Sequence, residues 1–152
     1  MTNNETTKPA ASASTSCSAS FVRMFQPRFA SLVEAGTKTQ TVRKTPNRMP
    51  KVGDRISLRC WTDKPYRSPQ RVLRDTTITR VAKVWIGWNG ILVDGRHVES
   101  DNAFARADGF ADFVQMHKWF CDNHGIPIEG WTGILICWQN AIGEPAAGSP
   151  TH

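Results

Sequence analysis

Apolar and polar positions along the chain alternate in blocks of two periods, and the blocks predict the elements. Ser20–Gln26 carries Phe21, Val22, Met24 and Phe25 and predicts a first strand. Pro27 stands where the first turn of a helix accepts it. Phe29, Leu32 and Val33 recur at helical spacing before Gly36, so a short helix is expected over Pro27–Ala35. A brief extended segment, Thr39–Arg43, follows. Val52-Gly53-Asp54 turns into a strictly alternating strand, with Ile56, Leu58 and Cys60 on one face and Arg55, Ser57, Arg59 and Trp61 on the other.

A polar loop with Pro65 and Pro69 leads to a long strand over Thr76–Trp88. Asn89-Gly90 and Asp94-Gly95 are turn signals that join Ile91–Val93 to His97–Glu99. One longer amphipathic helix comes late. Asp112 is its cap, and Phe113, Val114, His117, Phe120 and Cys121 trace one face before Gly125. Gly133–Trp138 is continuously apolar, which predicts a central last strand, with Trp119, Trp131 and Trp138 as core and edge aromatics. The order predicts an α+β domain on a small, strongly curved sheet or barrel.

The ends follow neither period. Residues 1–20 are almost all Ser, Thr, Ala and Asn, and 141–152 are rich in Gly, Pro and Ala, so both are expected to be disordered tails around one domain at 21–140. The N-terminus lacks the apolar segment of a secretory signal, and no stretch reaches transmembrane length. The expectation is a cytoplasmic protein with no membrane partner. Cys60, Cys121 and Cys137 lie in apolar contexts without a CxxC pair and read as free buried thiols. Cys17 falls in the first tail.

Charge changes the picture. The net charge is +6, but from Phe21 to Lys83 there are 15 Lys and Arg against four acids, and from Val84 to Asn140 three against seven. A basic half beside an acidic half suits a phosphorylated or polyanionic ligand, though a solvated surface would carry the same imbalance.

The densest chemistry is Gly36-Thr37-Lys38-Thr39-Gln40-Thr41-Val42-Arg43. In an extended segment Thr41 and Arg43 share a face. A lysine beside an arginine, partly desolvated, has a depressed pKa and can serve as base or nucleophile, with Thr41 as its hydroxyl partner. A solvated basic edge strand is the competing explanation.

With its flanks, this region resembles the ASCH domain family, a branch of the PUA-like β-barrels. The matching pieces are Phe25-Gln26-Pro27-Arg28-Phe29, the GxKxxTxR run from Gly36 to Arg43, Val52-Gly53-Asp54 before a strand, the acid and helix around Asp108, and the closing Gly133–Trp138 strand. The resemblance implies a barrel of about six strands, with one short helix after the first strand and one longer helix before the last. Its small bacterial members look like amidohydrolases that remove the acyl group from N4-acetylcytidine, using the motif lysine and threonine with a glutamate just before the late helix.

Carried over, Lys38 and Thr41 match directly, and the acid falls at Asp108, one methylene shorter than glutamate, with Asp101 as competitor. Lys38 would activate Thr41, Asp108 would shuttle the proton to the cytosine amine, and Arg43 or backbone amides near Gly36 would steady the oxyanion. Phe25 joins the expected substrate-binding set. The expected partner is a modified nucleoside or nucleobase, and RNA is a second possibility. No cofactor or metal is expected.

A second cluster, Arg59-Cys60-Trp61-Thr62-Asp63-Lys64-Pro65-Tyr66-Arg67, interleaves rings with cations. Arg59 with Trp61 or Tyr66 is therefore a candidate base-stacking group, or merely a packed strand end. His117, Cys121 and His124 have helical spacing for a metal, yet they fall on an apolar face, where a core histidine and thiol are the plainer account. The absence of a Gly-rich phosphate loop, a Ser-His-Asp order or zinc spacing argues against NTPases, serine hydrolases and zinc deaminases. The leading expectation is a metal-independent amidohydrolase on N4-acylated cytosine. The rivals are an RNA-binding PUA-like module and a ribonuclease using the same lysine.

Overall fold

A computed structural model describes residues 19–139; both expected tails, apart from residues 19 and 20, and Cys17 lie outside the described residues. The chain is α+β, with strands β1 (Ser20–Met24), β2 (Gln40–Arg43), β3 (Arg55–Trp61), β4 (Gln70–Gly87), β5 (Gly90–Val93), β6 (Arg96–His97) and β7 (Trp131–Trp138). The helices are α1 (Pro27–Ala35), α2 (Asp101–Ala107) and α3 (Phe113–Asn123).

Strand β4 organises the sheet. It has 18 residues, long enough to serve two neighbourhoods. Its first part pairs with β3, from Trp61↔Gln70 to Arg55↔Thr77. Its second part pairs with β7 and its end with β5, both antiparallel. The register shifts between Ile78 and Arg80, as a bulge requires. β1 joins β3 in parallel, β2 joins β7, and β6 closes a hairpin with β5.

Among the described residues these pairings leave a mixed, open sheet of seven strands, where the sequence predicted a barrel of about six. The continuity of β4 carries the chain from one part of the sheet to the other without any pairing between β1 and β2.

The predicted α1 keeps its bounds. Pro27 opens it, Phe29, Ala30 and Val33 are buried, and Gly36 caps it in the left-handed region at φ 81°. The alternation of β3 holds, with Ile56, Leu58 and Cys60 buried. Each fully buried aliphatic in this core contributes about 1.5–3 kcal/mol of transfer free energy. The Asp54 of the predicted turn accepts from the Ala19 and Lys51 amides at 3.0 and 2.8 Å, which ties the start of β1 to β3.

Two helical expectations change. α2 was not predicted; Ser100 caps it, accepting from the Ala103 amide at 3.0 Å. In α3, capped by Asp112 as expected, Met116 and Phe120 are buried and Val114 points to solvent, so the inner face is turned from the predicted one. No helix among the described residues is long and apolar enough to cross a membrane.

Candidate active site

Backbone hydrogen bonds place Lys38. After α1, the Thr37 and Lys38 amides both donate to the Leu32 carbonyl at 3.0 Å. The Thr39 amide donates to the Ala107 carbonyl at 2.9 Å, binding the loop to the end of α2. Asp108 is the next residue along, and it caps α2. Lys38 and Asp108, 70 residues apart in sequence, are thereby brought together.

Lys38 is 2% exposed and Asp108 3%. Nζ lies 3.4 Å from Asp108 Oδ1 and donates to the main-chain carbonyl of Asp108 at 2.5 Å. Nζ also sits 4.9 and 5.5 Å from the ring centres of Phe29 and Phe25. Gly109, at φ 98°, presses on this group. A Cβ there would come within 3.0 Å of Phe29 and 3.1 Å of Lys38 Cδ, so only glycine suits both the backbone and the space.

Burial sets the electrostatics. It pushes the Lys38 ammonium down to about 8, with Asp108 pulling the other way and Arg43 adding repulsion. Burial also pushes the Asp108 carboxyl up to about 6, against the pull of Lys38 and Arg43. Both groups move toward their neutral forms, which is the signature of desolvation outweighing attraction.

β2 supplies the hydroxyl. Thr41 and Arg43 share a face, as the alternation predicted, and Arg43 Nε donates to Thr41 Oγ1 at 3.0 Å. Arg43 Nη2 donates to the Met24 carbonyl at 2.8 Å, and the guanidinium lies 4.8 Å from the Phe25 ring centre. Burial, then repulsion from Arg23, lowers the Arg43 pKa to about 10, so it stays charged at neutral pH.

These side chains line one cavity of about 290 Å³, near the lower bound for small-ligand sites. Lys38, Thr41, Arg43 and Asp108 form its polar wall, and Phe25, Phe29, Phe110, Trp119 and Phe120 its aromatic one. Phe110 meets Phe29 edge-on at 5.4 Å and lies at a tilt to Trp119 at 5.8 Å.

Of the candidates from sequence, Lys38, Thr41, Arg43, Asp108 and Phe25 meet in this cavity. Asp101 does not, since it sits at the start of α2 beside Gly90 and His97. Gly36 serves only as the helix cap. Its amide donates to Val33, those of Thr37 and Lys38 to Leu32 and that of Thr39 to Ala107, so none is free for an oxyanion.

Trp61 and Tyr66 are outside the cavity, their rings 5.1 Å apart, with Tyr66 88% exposed. Arg59 is engaged by Ser57 and Gln70 at 2.8 and 2.9 Å and is also outside. Interleaved rings and cations give no address in three dimensions, and these pack on one another.

Several lining residues were not among those the sequence assigned to the site. Gln26, Lys44, Asn123 and His124 reach the rim from three separate elements. His124 lies over Phe120 at 5.3 Å and beside Trp131 at 5.2 Å. Burial and the neighbouring Arg43 and Lys44 lower its pKa, so it is neutral at pH 7. His117 contacts Cys121 instead, Nδ1 to Sγ 3.6 Å, and no group of three or more His, Cys, Asp or Glu among the described residues could hold a metal ion.

A buried amine, a carboxyl, a hydroxyl and a guanidinium in one small aromatic cavity can perform acyl transfer: a base, an acid, a nucleophile and an oxyanion partner. No protein-family model, functionally described protein or solved structure matches this chain.

Proposed function

We propose that the protein is an ASCH-like amidohydrolase with a PUA-like plan, and that it removes the acyl group from N4-acylated cytosine or cytidine. The observation that carries this reading is the buried Lys38–Asp108 pair in the same cavity as a threonine hydroxyl held by Arg43. The cavity is of a size for a pyrimidine with a short acyl chain, and its rings supply stacking faces and keep water out.

The neutral Lys38 amine takes the proton of Thr41 as its Oγ attacks the acyl carbon. Arg43, whose Nε holds Thr41 Oγ1 and whose Nη2 holds the Met24 carbonyl, gives its remaining Nη1 donors to the oxygen that becomes anionic. One such donor contributes about 3 kcal/mol to the step. As the C–N4 bond breaks, Asp108 gives its proton to the departing cytosine amine. Water then attacks the Thr41 ester, Asp108 takes the water's proton, and Lys38 returns its own to Thr41.

The cycle begins with Lys38 and Asp108 both neutral, a state that holds the same one proton as the ion pair. With burial pushing the lysine down to about 8 and the aspartate up to about 6, that form is far better populated than it would be at ordinary values. At ordinary lysine and aspartate values it would be populated about a millionfold less than the pair. Burial therefore supplies the reactive tautomer. Three unpaired thiols, Cys60, Cys121 and Cys137, suit a reducing compartment such as the cytoplasm.

The test is direct. Purified protein with N4-acetylcytidine should convert it to cytidine, followed by ultraviolet absorbance, and Lys38→Ala and Thr41→Ala should each abolish the conversion. Conversion by wild type that survives Thr41→Ala would remove Thr41 as nucleophile; no conversion by wild type would remove the activity.

A further inference from the structure

The other face of β2 carries a second concavity. Side chains alternate along a strand, so Gln40 turns away from Thr41, and it lines a groove of about 540 Å³ that shares no residue with the cavity of Lys38. The pairings lay out its floor. Gln40, Cys137 and Arg80 stand side by side on β2, β7 and β4, and Leu135 with Ala82 forms the next row on that face. Further along the same face Val84 pairs with Val93, and Val93 with Arg96.

The groove therefore has a cation toward each end. Arg80 is four residues from the Val84 row, about 13 Å along β4, and Arg96 lies two strands across, about 10 Å. Between them the lining is apolar, with Leu135, Val93, Ala107 and Phe104. Both arginines are exposed, and among the described residues neither is in an ion pair. Glu99 is the one carboxylate on the lining.

A buried amide marks the Arg80 end. Gln40 is 7% exposed, yet its Nε2 makes only a long 3.5 Å bond to the Phe104 carbonyl, and its Oε1 has no partner among the described residues. A primary amide carries two donor hydrogens, and a buried one left without partners costs free energy. The second Nε2 hydrogen is open to a group in the groove. Arg80 is near enough to Cys137, the middle member of that row, to act on its thiol, so guanidinium and amide flank one spot.

We propose that this groove is a second binding site, which takes an elongated dicarboxylate with an apolar chain. One carboxylate lies between Arg80 and the Gln40 amide, the other meets Arg96, and the methylenes cover Leu135 and Val93. Cations this far apart call for two anionic groups, and the apolar floor between them calls for a chain in place of a third charge. The site does not depend on the amidohydrolase reading.

Calorimetric titration of the full chain at about 50 mM salt tests it. The probes are suberate, octanoate, which keeps the chain with one carboxylate, and succinate, which keeps both carboxylates on a short chain. Suberate should bind about fivefold more tightly than either, the upper range for an ionic contact open to water. Arg80→Gln and Arg96→Gln should each bring suberate down to the level of octanoate. Gln40→Leu should weaken suberate about as much as Arg80→Gln does, and Glu99→Gln should strengthen it.

Octanoate or succinate bound as tightly as suberate would overturn the two-ended site, and so would a suberate affinity that neither arginine variant changes. Lys38→Met should leave suberate binding intact. Binding lost in Lys38→Met and kept in Arg80→Gln would put the ligand in the catalytic cavity and overturn the proposal, as would no suberate binding at low salt.

Discussion

Lys118 and Asp122 meet at 2.9 Å one turn apart on α3, with side chains 75% and 60% exposed. Lys38 and Asp108 meet at 3.4 Å with side chains 3% and 4% exposed. The outer pair is the closer, and its hydrogen bond raises the Lys118 pKa, as an ordinary partner does. The inner pair is looser, and its lysine moves the opposite way. Distance does not decide the sign. Removal of water does, because it penalises both ions more than their attraction returns.

The sharpest way to break this contrast is to remove each lysine. Lys38→Met should lower kcat for N4-acetylcytidine about 10²–10⁴-fold, the usual worth of a positioned base. Lys118→Met should leave the rate unchanged. Comparable losses in the two variants would mean that burial at position 38 carries no chemistry.

Removing the acid is the next largest effect. Asp108→Asn keeps the shape and cannot give a proton, so kcat should fall about 10²-fold. A leaving group that needs no protonation, such as an acyl ester in place of the amide, should recover most of the loss in the same assay.

The pH profile sharpens the comparison further. Below about 6 both groups hold protons and Lys38 cannot act as base; above about 8 neither does and Asp108 cannot act as acid. The kcat/KM should therefore be highest between these values and fall about tenfold per unit on either side. A rate that climbs steadily through pH 9 would show that only the amine matters.

Stability is the smallest effect and runs against activity. The raised Asp108 value favours the fold below about 3.8, and that contribution is lost as pH rises through about 6. The lowered Lys38 value favours the fold above about 10.5, and that is lost as pH falls through about 8. Between 6 and 8 neither contributes. Lys38→Met with Asp108→Leu should then raise unfolding stability by about 1–4 kcal/mol at pH 7 in urea titrations, with a narrower gain at either extreme. The same double change at Lys118 and Asp122 should leave the midpoint where it was.

What the sequence showed follows from range. Thr41 and Arg43 were legible because they are two residues apart on one strand, and a strand fixes which side each faces. The bounds of α1 were legible because Pro27 and Gly36 act within one turn. Asp108 came only through resemblance, since its approach to Lys38 depends on a loop bonded to a helix with one large apolar residue, Phe104, to announce it.

The false candidates failed for the same reason. Trp61 and Tyr66 look like a binding platform until the fold packs them against each other, outside the cavity, with their ring planes tilted by 49°. The rim of Gln26, Lys44, Asn123 and His124 is assembled from three elements, and nothing local brings the four together. The full length of β4 was not legible either, because alternation alone does not limit a strand.

The bond from Lys38 Nζ to the Asp108 carbonyl is made to an atom that every amino acid possesses. The amine's seat is therefore secured by the course of the main chain, and a substitution at position 108 that leaves that course in place leaves the bond. The acid at that position can be shortened or lengthened while the base stays in place.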